Sequence, residues 1–474
     1  MNKKIIALTV LCAIVFSTAC KKEFLERTAS NQLPAESSIT SEGGMRDAIN
    51  GLYASLRTAN LYGRSVPLLG DLLADNTVLH ATNSNRYTAE NQYTFIATSG
   101  TALGIWTDAY STILAANNII NSSVTSNANV DNFKGEAYAL RALMYFELVR
   151  FFATPYTVSP DAEGVPIVLT YDIDLKPSRK KVSEVYAQVI ADFNQAFMLI
   201  TQAKNSSYIN KYAVKALLAR VYQHMGDWTN ARTAALDVVT NGGYVLLDTT
   251  AFKEYFKTAI PVPAATVKPE TIFEVSSDAV NNLGSNALAY FYEQDRGYGD
   301  AIATDNVFNL YSATDARRYY IDPTKRRANA TTGPLIKAVV KYPNTNNAND
   351  KDDTKVIRYA DVLLILAEAY YNLNDETNAR LRLNEVARKR DPLFAGYAST
   401  GTALLDDIIN ERRKEFAFEG LRFWDLVRLN RVIDRGPQYP ASGRTIAVGN
   451  TRRLQPIPQT ERDANPNISQ NAGY

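Results

Sequence analysis

The chain has 474 residues, of which 46% are hydrophobic, 21% charged and 10% aromatic. At about 150 residues per domain this allows one large domain or two to three small ones, and it excludes a disordered chain, a collagen and a disulfide miniprotein. The net charge is +2; without Lys3 and Lys4 the 51 basic residues become 49, matching the 49 acidic ones, so there is no basic footprint for nucleic acid.

The first nineteen residues read as an address. Lys3 and Lys4 form a positive start, Ile5 to Phe16 is apolar except for Thr9, and Ser17, Thr18 and Ala19 lead into Cys20. That is a secretory signal, and its apolar run is too short to span a bilayer. A cysteine directly after small residues resembles a bacterial lipobox, in which the sulfur receives a lipid and the cysteine becomes the N-terminus; Ser17 departs from the usual leucine. Cys20 is therefore the expected lipidation site and residues 1–19 the signal. Ordinary secretion with an incidental cysteine is the alternative. The only other cysteine is Cys12, which leaves no disulfide framework. The two histidines, His80 and His224, lie 144 positions apart, a poor supply for zinc.

The body reads as mainly α. Residues 135–152 form the first helical segment. Val182, Tyr186, Val189, Ile190, Phe193, Phe197 and Ile200 then recur at spacings of three and four, with Ser183 as the expected N-cap. Residues 208–225 and 357–372 read as further helices, the last apolar on most sides. Leu218-Ala219, Tyr222, Asp227 and Ala231 match Leu366-Ala367, Tyr370, Asp375 and Ala379, with Ala–Tyr–Ala intervals of three and nine in both. This pattern resembles the tetratricopeptide repeat, a pair of helices held close by small residues. Segments 61–104, 241–355 and 436–474 are rich in Asn, Asp, Thr, Gly, Pro and Tyr and read as loops. Short strands are expected at 271–275 and 335–342, and a mobile loop at 345–353.

Long ordered motifs close the chain. Ile408 to Arg428 runs IINERRKEFAFEGLRFWDLVR; Arg358 to Leu364 leads to Glu368-Ala369; Pro456-Ile457-Pro458, Glu461, Asn465-Pro466, Gln470-Asn471 and Gly473-Tyr474 form the ending. With Phe24-Leu25-Glu26, and with Trp106, Tyr110, Ile113 and Asn117-Asn118 matching the family's early helix, they resemble the SusD/RagB family over essentially the whole mature chain. The resemblance implies tetratricopeptide-like helical pairs, mainly within 105–240 and 355–430, packed against a loop-rich half (61–104 and 241–355) with a few short strands, all in one domain, 20–474. It also implies an outer-membrane lipoprotein and a partner, a SusC-like TonB-dependent transporter over which the lipoprotein forms a lid. No cofactor, metal or nucleic acid is implied.

From Glu411 to Arg431 there are six basic and four acidic residues, with Glu411, Glu415 and Glu419 four apart. Arg412, Arg413, Arg422 and Arg428 can pair with such carboxylates, so the signature reads as a packed ion-pair cluster, with anion binding as the lesser reading. Gly420 is expected to let the helix end and the chain turn.

No phosphate loop, nucleophile elbow, H-E-x-x-H or EF-hand is present. The sequence leaves open a glycosidase pair, because its carboxylates are set by space rather than spacing. A sugar receptor needs flat aromatics and hydroxyl partners. Two stretches supply them: Asp75, Asn76, Arg86, Tyr87, Asn91 and Tyr93 in one, Tyr290, Tyr292 and Tyr298 in the other. These nine are the candidate ligand-binding residues, although each tyrosine reads equally as loop packing. The expected function is non-enzymatic: a surface lipoprotein that binds nutrient oligomers, oligosaccharides first, for delivery to the transporter. A RagB-like peptide binder, a secreted glycoside hydrolase and a purely structural scaffold are the alternatives.

Overall fold

The computed structural model describes residues 39–172, 174–202, 204–256, 268–348 and 351–474. Cys20 and the segment around it lie outside the described residues. The first half runs α1 (Glu42–Leu56), α2 (Ser65–Leu72), β1 (Thr77–Leu79), α3 (Thr88–Gln92), α4 (Gly100–Ile120), α5 (Ala128–Phe152), α6 (Val182–Leu199), α7 (Lys211–Met225), α8 (Trp228–Asn241) and α9 (Thr249–Tyr255). The middle carries β2 (Thr271–Val275), α10 (Leu288–Tyr292), β3 (Ala301–Ala303), α11 (Asp305–Phe308), β4 (Ile321–Asp322), β5 (Ala338–Val339) and β6 (Thr354–Arg358). The last third adds α12 (Tyr359–Asn372), α13 (Glu376–Arg390), α14 (Gly401–Glu415), α15 (Arg422–Arg428), β7 (Ile433–Asp434), β8 (Thr445–Ile446) and α16 (Gln459–Ala464). The fold is mainly α. Among the described residues the strands form four two-stranded antiparallel sheets: β1–β3, β2–β6, β4–β5 and β7–β8.

Helices α4 to α8 pack in sequence, and α12 packs on both α8 and α13. The two helical pairs read from the sequence are α7–α8 and α12–α13, and they share their turn atom for atom. Asp227 N donates to Tyr222 O at 2.9 Å, and Asp375 N to Tyr370 O at 2.8 Å. Each aspartate then caps the second helix, accepting at 3.1 Å from Asn230 N and from Asn378 N. A cap of this kind is worth about 1 kcal/mol. Ala219, Ala231, Ala367 and Ala379 are fully buried, so the backbones approach closely, with Tyr222 and Tyr370 half-buried beside them.

Several local expectations differ. Lys181, not Ser183, precedes α6; its backbone N–H reaches the Glu184 carboxylate at 2.8 Å, and this satisfies the helix start. Residues 357–358 belong to β6 because their backbone pairs with β2, so the helix begins at Tyr359. Only Ala338–Val339 of the segment 335–342 forms a strand, limited by the two-residue partner β4. Segment 61–104 is less loop-like than its composition, since it folds α2, α3 and β1. The described ends of the loop at 345–353 are tied down: Thr345 is buried, and Asn344 N donates to the Asp352 carboxylate at 3.0 Å.

Gly420 does more than end a helix. Helix α14 already ends at Glu415, and Gly420 lies beyond it in the left-handed region (φ +82°). There its backbone meets α2: a Cβ at Gly420 would lie 2.5 Å from Pro67 Cα, and one at Gly70 would lie 1.9 Å from Gly420 O. Only glycine tolerates both the φ and the contact. The Asp71 carboxylate accepts from Gly420 N at 2.6 Å and fixes the crossing.

The C-terminal signature is a buried ion-pair network, as its charge pattern implies. Arg358 pairs with Glu270 (2.6 Å), Glu415 (2.9 Å) and Glu419 (2.8 Å). Arg317 joins Glu411 (2.6 Å) to Asp315 (2.8 Å), and Arg412 joins Asp361 (2.7 Å) to Asp425 (2.9 Å). Each ion has several partners of opposite charge, the condition under which burying charge is tolerable.

Candidate ligand-binding surface

The two stretches singled out for ligand binding are about two hundred positions apart, and the β1–β3 pair joins them. Thr77 pairs with Ala303, Val78 with Ile302 and Leu79 with Ala301. The loop leaving β1 therefore lies beside the loop entering β3. His80 N extends the ladder to Asp300 O at 2.8 Å. The buried Asp300 carboxylate then ties the loops: it accepts from Ser84 N at 3.0 Å and pairs with Arg327 at 3.2 Å. Arg327 also donates to Thr82 O at 2.6 Å.

Tyr87 and Tyr93 bracket the short helix α3, both with left-handed backbones (φ 57° and 56°). Such φ values are uncommon outside glycine, and the surrounding contacts hold them. Next to Tyr87, Arg86 lies over the Tyr298 ring, 4.3 Å from its centre, and donates from Nη2 to the Tyr298 hydroxyl at 3.1 Å. Phe291 packs between Tyr87 (5.5 Å) and Tyr298 (5.7 Å). Arg64 covers Phe291 at 5.3 Å and donates to the Tyr87 hydroxyl at 2.8 Å. The result is a cluster of Arg64, Tyr87, Phe291, Tyr298 and Arg86 with edge-to-face and tilted ring contacts, whose Arg64, Arg86 and Tyr298 side chains are half-exposed. The Arg86 Nη1 nitrogen has no hydrogen-bond partner.

Of the nine residues expected to bind ligand, the structure brings Arg86, Tyr290 and Tyr298 to this surface; the Tyr298 N–H donates to Tyr290 O at 2.7 Å. Tyr87 lies just beneath, its hydroxyl shared between Arg64 and Ser65, so it positions Arg64. The other five are interior. Asp75 is gripped by Arg422 (2.8 Å) and Arg413 (3.2 Å). Burial alone would raise its carboxyl pKa, and the two guanidiniums outweigh this and hold it below the usual carboxylate range. Asn76 bonds Asp71 at 2.8 Å and Arg413 at 2.9 Å. The Asn91 carbonyl groups face Arg435 and the Leu79 N–H. Tyr93 donates to Leu73 O, and Tyr292 stacks on Tyr342 with ring centres 6.0 Å apart. Polar and aromatic residues in a loop look alike in sequence whether they face in or out, and here Asp75, Asn76, Asn91, Tyr93 and Tyr292 find their partners in the interior.

Arg64, Asn286, Ser84 and Arg327 complete the surface over the buried Asp300, and Arg64 Nη1 donates to Asn286 O at 3.1 Å. Neither β1 (TVL) nor β3 (AIA) alternates polar with apolar residues, so the sequence carries no signal that their loops meet. Beside Tyr290 the surface dips into a cavity of about 60 Å³ walled by Asn282, Gly284, Tyr342, Thr345 and Asp352. Its wall shares Arg57, Val275 and Ser277 with a larger cleft of about 520 Å³ that also carries Tyr208, Asp278 and Asn281. Among the described residues no cluster of three His, Cys, Asp or Glu side chains is placed to hold a metal ion. His224 is buried edge-on against Phe146 at 5.1 Å, and desolvation, reinforced by nearby arginines, holds it neutral.

Two family descriptions match the chain in tandem. "Starch-binding associating with outer membrane" matches residues 23–223, and "SusD family" matches residues 286–474. The chain belongs to the SusD/RagB family. SusD-like relatives match along most of their length: SusD-like protein P38 of Formosa agariphila is 26% identical, over 91% of this chain and 90% of that protein. SusD-like protein P2 of the same organism is 26% identical, over 95% of this chain and 96% of its own. A crystallised SusD superfamily protein of Bacteroides thetaiotaomicron is 28% identical with a TM-score of 0.82, over 91% of this chain and all of that one. A Bacteroides vulgatus protein described as a candidate sugar binder is 26% identical with a TM-score of 0.81, over 93% of this chain and all of its own.

Proposed function

We propose that this SusD/RagB protein is a surface lipoprotein that captures nutrient oligomers, oligosaccharides first, and delivers them to a SusC-like TonB-dependent transporter. The observation that carries this reading is the Arg86–Tyr298 stack on the seam of the β1–β3 loops. An aromatic face stacks on the C–H face of a pyranose, while guanidinium and phenol groups meet its hydroxyls. Arg64, Arg86, Tyr290 and Tyr298 are the contact residues in this reading, with Tyr87 positioning Arg64. The names of the relatives support it: one matching family is described as starch-binding, and one similar structure as a candidate sugar binder. The protein acts by reversible binding, without catalysis and without a cofactor.

Cys20 carries the lipid in this reading. No helix of the described residues is long and apolar enough to cross a membrane, which leaves the acyl chains as the anchor. Two or more chains hold a protein firmly where one does not.

The test is calorimetric titration of protein from Lys21 onward against oligosaccharides and oligopeptides, followed by chromatography of the mixtures. Saturable heat with a glycan and unchanged oligomers supports capture. Heat with peptides alone moves the assignment to the RagB-like alternative. Shortened oligomers overturn the non-catalytic reading and favour a hydrolase.

A further inference from the structure

A second cleft, of about 440 Å³, lies between the C-terminal ends of α5 and α15 and the segments 448–454 and 470–472. It shares no lining residue with the Arg86–Tyr298 surface. Its volume falls within the range of small-molecule sites. Three arginines line it, Arg150, Arg179 and Arg453, against one carboxylate, Glu163. All three arginines are at least nine-tenths buried.

The positive charge is only partly answered. Arg150 is clamped between the rings of Phe146 (4.5 Å) and Trp424 (4.8 Å) and pairs with Glu147 through Nη2. Its Nε and Nη1 are buried with no hydrogen-bond partner. Arg453 donates to the carbonyls of Val448 (3.0 Å), Arg431 (3.1 Å) and Leu426 (3.4 Å), and it has no carboxylate partner among the described residues. Arg179 is held by the carbonyls of Gly164 (2.7 Å), Glu163 (2.9 Å) and Phe152 (3.2 Å), with the Glu163 carboxylate 3.7 Å away. That Glu163 side chain is 60% exposed, so it screens the cleft weakly. Carbonyl partners satisfy hydrogen bonds but do not neutralise charge, and a buried cation without an anion is costly. The arginines of the C-terminal signature, by contrast, have converging carboxylates. This cleft has an excess of cations and open space.

We propose that this cleft binds the carboxylate of a small molecule of monosaccharide to dipeptide size. Arg453 supplies charge-assisted donors, which arginine favours for carboxylates, and Arg150, whose free nitrogens are buried, adds positive charge behind the wall. Pro155, Val158 and Leu454 give the wall against which an apolar ligand face can lie. An acidic sugar and a peptide C-terminus present the same group, and the assignment is independent of the ligand taken at the loop surface.

The test uses detergent-purified full-length chain, titrated at low salt with glucuronate, glucose, an N-acetyl dipeptide, its amide and sulfate. The expected result is saturable binding of glucuronate or the acetyl dipeptide, and none of glucose or the amide at this site. Glucuronate binding alone names an acidic sugar as the source, and dipeptide binding alone a peptide terminus. Arg453→Gln should weaken binding about tenfold or more. Glu163→Gln, at an exposed side chain, should tighten it roughly two- to fivefold by removing the one carboxylate that lines the cleft. Tyr298→Ala should leave it unchanged. Because Arg453→Gln could disturb the carbonyls it holds, the gain with Glu163→Gln is the deciding readout. No carboxylate binding, equal binding of glucose, or an unchanged affinity in Glu163→Gln overturns the proposal; so does sulfate binding tenfold more tightly than either carboxylate.

Discussion

Arg428 grips both carboxylate oxygens of Glu368, with Nη1 to Oε1 at 2.6 Å and Nη2 to Oε2 at 2.7 Å. The two residues come from the two most family-like segments, and their fork bolts α15 to α12. Both are buried, and Asp425 adds a further bond to Arg428 at 2.7 Å. Removing Glu368 leaves Arg428 in the interior with Asp425 as its one remaining carboxylate partner. Glu368→Ala is expected to destabilise the protein by about 3–5 kcal/mol in urea unfolding, whereas a paired apolar replacement of both residues should lose much less. Equal losses in the single and paired variants would refute this.

Gly420 tests the crossing of the signature over α2. Gly420→Ala places a methyl group 2.5 Å from Pro67 Cα at a left-handed φ, and backbone cannot step aside as a flexible side chain can. The expected cost is roughly 2–5 kcal/mol. A melting temperature equal to that of the parent would show that the crossing yields.

Asp352 links the loop at 345–353 to pH. Burial pushes its carboxyl up from 3.8 to about 7, despite the Asn344 N–H bonds. The folded state therefore holds this proton more tightly than the unfolded chain. Its contribution to stability is fully present below about pH 4 and is lost as pH rises through about 7, at no more than about 1.4 kcal/mol per pH unit. Asp352→Asn keeps one acceptor and removes the titration. The stability difference between the two proteins should grow in favour of the variant from pH 4 to 7; a constant difference would count against the assignment.

Tyr298 tests the candidate ligand surface. Tyr298→Phe keeps the ring beneath Arg86 and deletes the hydroxyl that Arg86 holds at 3.1 Å. Glycan affinity should fall about fivefold, consistent with roughly 1 kcal/mol for one hydrogen bond, with the melting temperature unchanged. Arg86→Ala should weaken it further. Full affinity in both variants would move the binding site elsewhere.

Cys20 tests the anchor. In Cys20→Ala the protein should leave the membrane fraction and lose incorporation of labelled palmitate. Retention at the membrane would point to a different attachment.

The sequence by itself determined the helical pairs, because their signals are local: apolar spacing of three and four, small residues at close approaches, and an aspartate three positions before an asparagine at Asp227 and Asp375. It also determined that the charged signature from Glu411 to Arg428 is interior, since interleaved aromatics and paired signs have few other ways to be satisfied. Only the tertiary structure decided which polar and aromatic loop residues face a ligand. Asp75 and Arg86 look equally available in the chain, yet Asp75 meets Arg422, 347 positions away, while Arg86 reaches Tyr298, 212 positions away. The Arg86–Tyr298 contact depends on the register of β1 with β3, and three paired residues per strand leave little trace in sequence. The 440 Å³ arginine cleft was hidden for the same reason: its three cations are scattered from residue 150 to residue 453 and share a wall only once the chain has folded.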